Sequence, residues 1–181
     1  DDYDYYISNS TVDQMLELGV LDPSSGIRFP YLGINPTFRD KWKPAIAAHA
    51  VGRLKIGIHW NGQRAPNNLR QPRDVPYSLM RDFASLGAAY SFQRDAALAD
   101  LDPQDGFLDL GSRFQTLEDT AAALDEMDFV ITGDAFLAHL AGALGKKTAL
   151  LLHLDHYFLW IGEKAPSLWY PSVHIFRQSE Y

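Results

Sequence analysis

Cysteine is absent from all 181 residues. That excludes disulfides, thiolate nucleophiles and Cys-ligated zinc or iron–sulfur centres, and it fits a reducing, cytoplasmic setting. Positive charge is scarce: 16 Lys and Arg against 23 Asp and Glu leave a formal net charge of -7. Nucleic acid and anionic membranes need clustered cations, so neither is an expected partner. No apolar run approaches the roughly 20 residues that cross a bilayer, and the acidic opening DDYDYY has no signal-peptide character. Several motifs are missing as well. There is no G-x-S-x-G elbow, no P-loop and no G-x-G-x-x-G after a strand, so serine-hydrolase, NTPase and dinucleotide-dehydrogenase readings lack their signatures. The HLDH stretch at 153–156 lacks the helical His spacing of a zinc site and reads as a loop; no metal ligands are expected.

What is present is a sizeable apolar fraction, 46% hydrophobic and 13% aromatic, enough for one real core with extra segments. Residues 1–53 are of mixed character. YDYYIS suggests a short strand and VDQMLELG a short helix, after which LDPSSGIRFPYLGINP has the Pro and Gly content of a connector. FRDKWKPAIAAHAVG is expected to be partly helical, with Pro44 tolerable only near a helix start and Gly52 as the stop.

From Leu54 short apolar runs alternate with helical patterns. Strands are expected over 54–60, 88–93, 106–111, 128–133, 148–153 and 173–178, and helices over 76–87, 116–128 and 135–145. Thr116 and Asp119 have capping-box spacing at the start of the second of these helices. Strands rich in Val, Ile and Leu that alternate with helices imply a parallel sheet covered on both faces, an α/β Rossmann-like domain.

In such a sheet the ligand crevice lies beyond the carboxyl ends of the strands, which directs attention to the loops after Trp60, Gln93, Gly133 and His153. The first carries Arg64, Arg70 and Arg73 among amide side chains, donors suited to a phosphate or sugar, though a solvated loop has the same composition. The third is ITGDAFLAHLAGALG (131–145). There a strand runs into Gly133, Asp134 falls at the expected N-cap, and a helix of small residues follows. The first turn of that helix offers free N–H groups and the positive dipole end, an anion site. His139 is expected near the same mouth, as a donor to phosphate or a partner of Asp134; the competing reading is a plain cap and a packed helix histidine.

IGIHWNG (56–62), SFQR (91–94), the block 116–147 and LWYPSVHIFRQ (168–178) occur in an order that resembles the C-terminal domain of heptosyltransferase-like, family-9-type GT-B glycosyltransferases. The versions attached to tetratricopeptide-repeat proteins are the most similar. The resemblance covers about 54–178, and 1–53 resembles the end of the N-terminal domain and the interdomain linker of those proteins. It implies that 54–181 binds the nucleotide diphosphate of an activated sugar, with no metal and no cofactor. The acceptor and the general base would sit on an N-terminal domain outside this chain, so the chain alone is expected to show little or no transfer.

Carried over by motif, Asp134 and His139 match the family's D-T-x-x-x-H element, Asn61 and Gly62 the turn after the first strand, Gln93 the polar residue closing the second, and Arg73 a basic residue of the first loop. Gly133, Ala135 and Phe136 complete the expected phosphate-binding set. Three positions depart from the pattern: Ala135 stands for the usual Thr, Phe136 for a small residue, and Leu159 for the arginine before the tryptophan. These departures motivate an alternative, a degenerate module of the same fold that acts in protein interaction or assembly.

Overall fold

The computed structural model describes residues 28–62, 74–154, 160 and 167–180. The strand and helix expected before residue 28 lie outside the described residues, as do Arg64, Arg70, Arg73, Asp155, His156 and Leu159.

Helix α1 (Pro36–Ala50) starts where Asn35 Oδ1 accepts the Thr37 N–H at 3.0 Å, and Pro36 occupies the first turn, where its missing N–H costs nothing. Pro44 falls inside this helix and not near its start, contrary to expectation. It does so on the exposed face, where water can satisfy the carbonyl left without its N–H. Trp42, Ile46 and Ala50, spaced four apart, bury the opposite face and hold the helix in place. Val51 in the left-handed region and Gly52 at φ 76 end it.

The remaining elements are β1 (Lys55–His59), α2 (Tyr77–Met80) continued as a 3₁₀ turn to Leu86, β2 (Ala88–Ser91), β3 (Leu108–Asp109), α3 (Leu117–Asp125), β4 (Phe129–Thr132), α4 (Phe136–Ala143), β5 (Thr148–Leu152) and β6 (Val173–Arg177). The strands form a six-stranded parallel sheet in the order β3-β2-β1-β4-β5-β6. The order reverses between β1 and β4, the topological switch point of a doubly wound sheet. Among the described residues no helix is long and apolar enough to cross a membrane.

Strand residues alternate between two covered faces. Ala88, Tyr90, Phe92 and Val130 pack against α1, α3 and α4, in one cluster with Trp42, Ile46, Phe114 and Leu124. Ile56, Ile58, Trp60, Ala89 and Ile131 face the other way, against Met80 and its neighbours. A third cluster joins Ala138 of α4 to Leu150, Leu152, Val173 and Trp160. Helix α1, formed mostly by the stretch expected to be partly helical, therefore shares the core that carries the sheet.

Candidate functional site

At the switch point the carboxyl ends of the strands open into a cavity of about 820 Å³, within the range of small-molecule and cofactor sites. His59, Asn61 and Gly62 enter it from the end of β1, Gln93 and Arg94 from the end of β2, Gln115 and Thr116 from the approach to α3, and Ala135 and Phe136 from the start of α4. Two helix N-termini thus converge on one space. The amides of their first turns have no acceptor within the helix, and each helix presents its positive dipole end.

The α3 terminus is fixed by Asp119. Thr116 Oγ1 accepts the Asp119 N–H at 3.2 Å, and Asp119 Oδ2 accepts the Thr116 N–H at 3.1 Å, so the expected capping box is present. The same carboxylate accepts the Gln115 N–H at 3.0 Å, and its other oxygen accepts from Lys41 Nζ at 2.7 Å and Trp42 Nε1 at 2.9 Å. Burial works to raise the Asp119 pKa, but these donors outweigh it and hold the group down at about 2.

Gln93 has no hydrogen-bonding capacity left for a ligand. Its Oε1 accepts the Trp60 and Asn61 N–H groups at 3.2 and 3.0 Å, and its Nε2 donates to the Asn61 and Arg94 carbonyls at 3.1 and 3.2 Å. An amide has two lone pairs and two N–H bonds, so this side chain clamps the β1 and β2 exits together. A Cβ at Gly111 would strike the Gln93 carbonyl, so only glycine lets the chain after β3 pass so close.

The start of α4 differs from expectation. Ala135, not Asp134, is the N-cap, and no side chain caps the helix. Asp134 is buried, and its Oδ1 accepts the Trp160 Nε1–H at 2.7 Å. His139 lies outside the cavity lining; it stacks on Trp160 with ring centroids 4.7 Å apart and planes 19° apart, and its Nδ1 lies 3.3 Å from the Tyr170 hydroxyl. Both departures have one cause, because an indole offers a donor to the carboxylate and a flat face to the imidazole at the same time. Gly142, one turn further on, leaves room for the Tyr170 ring.

His59 sits on the α1/α3/α4 face of β1, in register with Thr132 of β4. The Gly133 N–H donates to its carbonyl, which puts His59 beside the start of α4. Its Nδ1 is closed off from solvent and has no hydrogen-bond partner among the described residues. Burial lowers the imidazole pKa to about 4, with attraction to Asp74 opposing only in part. Because the native pKa is depressed, the unfolded chain takes up the proton first on acidification. Stability from the neutral ring is present above about pH 6.5 and is lost as pH falls through 4, up to about 3 kcal/mol. Unfolding free energies across this window should lose that slope in His59→Leu; an unchanged slope refutes the assignment.

The described cavity lining contains one formal cation, Arg94, which is exposed, and no carboxylate. In a chain of net charge -7 that segregation favours an anionic occupant.

Comparison with solved structures finds the same architecture elsewhere. The glycosyl transferase family 9 protein from Veillonella parvula DSM 2008 superposes with a TM-score of 0.58 over 100% of this chain and 52% of its own, at 18% identity. The E. coli ADP-heptose lps heptosyltransferase II gives 0.57 over 84% of this chain and 46% of its own, at 14% identity. The fold is the Rossmann-like fold of GT-B heptosyltransferases. The chain spans about half the length of these relatives. No family model and no curated protein matches the sequence.

Within this GT-B-like fold, Asn61, Gly62, Gln93, Ala135 and Phe136 of the expected set line the cavity. Gly133 is buried in the turn behind it, Asp134 and His139 form the cluster with Trp160, and Arg73 is outside the described residues. His153 directly follows β5 and is not in the described lining, and the loop beyond Leu154 falls largely outside the described residues. Sequence reasoning missed His59, Arg94, Gln115, Thr116 and Thr120. The capping box at Thr116 was visible as a helix start, but only the strand order places β3, and hence the start of α3, at the crevice.

Proposed function

We propose that this chain binds the nucleotide diphosphate of an activated sugar and serves as the donor-binding part of a glycosyltransferase. The observation that carries this reading is the cavity itself, a space of about 820 Å³ at the switch point, between two helix N-termini, with Arg94 and no described carboxylate in its lining. Likeness of fold to heptosyltransferases supports it. In transfer, the helix amides and Arg94 would offset charge that develops on the departing diphosphate, without a metal. The general base for the acceptor would lie on another domain, an N-terminal GT-B half, and a tetratricopeptide-repeat region is a further partner in this proposal.

One observation favours the alternative of a degenerate module. Phe136 is 53% exposed and lines the cavity where the family pattern has a small residue. The two readings separate in a calorimetric titration against ADP, GDP, UDP, CMP and their sugar conjugates. ADP heads the panel because one structural relative is an ADP-heptose enzyme. The donor reading expects saturable binding of a nucleoside diphosphate, weakened about 10-fold, or roughly 1.4 kcal/mol, by Arg94→Ala. No binding by any member of the panel would sink it in favour of the degenerate module.

A further inference from the structure

The family pattern assigns no role to the histidine that closes the first strand, yet the geometry gives it one. His59 ends β1 at the switch point, lines the cavity and is partly buried, and its Nδ1 is sealed and unpartnered among the described residues. A buried N–H without an acceptor is costly, so the sealed Nδ1 is the unprotonated nitrogen and Nε2 carries the ring proton. Its neighbours indicate what that proton can meet. Gly133 N–H donates to the His59 carbonyl, and two residues later Ala135 opens α4, whose first-turn amides of Phe136 and Leu137 have no acceptor within the helix. Imidazole and amides therefore share one corner of the cavity.

We propose that His59 is a ligand-contacting residue of this site, a neutral imidazole that donates its Nε2–H to a phosphate oxygen seated on the first turn of α4. The proposal rests on the reading of the cavity as a nucleoside-diphosphate site and names a further residue that orients the diphosphate. A neutral donor suits the position, because burial disfavours the protonated ring by more than attraction to Asp74 favours it. The hydrogen bond moves no proton and needs no co-reactant. Asp134, which by sequence stands closer to the phosphate element, accepts from Trp160 through its Oδ1, and its carboxylate has no N–H to offer a phosphate oxygen.

Two measurements on the full chain test it. In calorimetry with the nucleoside diphosphate that binds wild type most tightly, and in parallel with its nucleoside and with inorganic pyrophosphate, His59→Leu is expected to weaken nucleoside diphosphate and pyrophosphate at least 10-fold. The nucleoside should stay within 2-fold, and His59→Gln, which keeps an N–H donor, within about 3-fold of wild type for all three. Unchanged diphosphate affinity in His59→Leu overturns the proposal while leaving the donor-site reading intact. If wild type binds neither nucleoside diphosphate nor pyrophosphate, both fall together. The second measurement does not depend on a variant that folds: imidazole ¹⁵N resonances of wild-type His59 should keep their neutral pattern at pH 7 and shift on saturation with the diphosphate. Resonances that stay put at saturation overturn the proposal.

Discussion

Asp119→Ala should destabilise the protein by about 3–5 kcal/mol, the range for removing one member of a buried charged network, and should do so chiefly by loosening α1 and the start of α3. The carboxylate is 1% exposed and receives four donors, the capped Thr116 amide among them. Lys41, 47% exposed, can turn to water when the carboxylate is gone. Trp42 cannot: its indole N–H is buried with the rest of the ring, and an orphaned buried donor costs about 1–3 kcal/mol. Loss of the reciprocal cap adds about 1 kcal/mol. Urea unfolding should show a lower midpoint at an unchanged m value; a shift equivalent to less than 1 kcal/mol would mean that the network is ornamental. Asp119→Asn should lie between, since an amide keeps one acceptor oxygen for Trp42 or the backbone but not for both. The sign of the pH dependence follows from the depressed carboxyl. Its stabilisation is complete above the ordinary Asp pKa of about 4 and is lost as pH falls through about 2, worth roughly 2 kcal/mol.

This network also shows how far the sequence was legible. Thr116 and Asp119 read as a capping box because that motif is local, three residues apart, and the box is present. That Asp119 also anchors Lys41 and Trp42, more than seventy residues earlier, depends on α1 packing against α3, and no local pattern encodes it. The parallel sheet was legible because buried parallel strands read as continuous apolar runs between helical patterns. Its order was not, and the order decides which loops meet: α3 reaches the cavity because β3 lies beyond β2. Pro44 misled because propensity argues from the chain alone, whereas three buried residues on the opposite face hold α1 through it. Asp134 misled because a strand followed by Gly-Asp fits an N-cap, and the competing donor, the Trp160 indole, lies 26 positions away in sequence.

That indole carries the other large effect. Trp160→Ala should cost about 3–5 kcal/mol, the usual range for a buried tryptophan, and should weaken nucleotide binding although Trp160 is absent from the described cavity lining. The ring is 1% exposed, bonds Asp134 through Nε1, stacks on His139 and packs in the cluster of Leu150, Leu152 and Val173. Its carbonyl accepts from Arg177 at 2.7 Å and is retained in the variant, so the loss is confined to the side chain. Asp134 and His139 lie on either side of the first turn of α4, so the indole fixes the direction in which that turn presents its amides to the cavity. His139→Ala removes the stacking partner and leaves the Asp134 bond. It should therefore lose less stability than Trp160→Ala, and the double variant should fall short of the sum of the two because both lose the same contact. If nucleotide affinity in folded Trp160→Ala equals that of wild type, the cluster only fills space behind α4; if it falls while His139→Ala stays near wild type, the Asp134–Trp160 bond is the element that aims the helix.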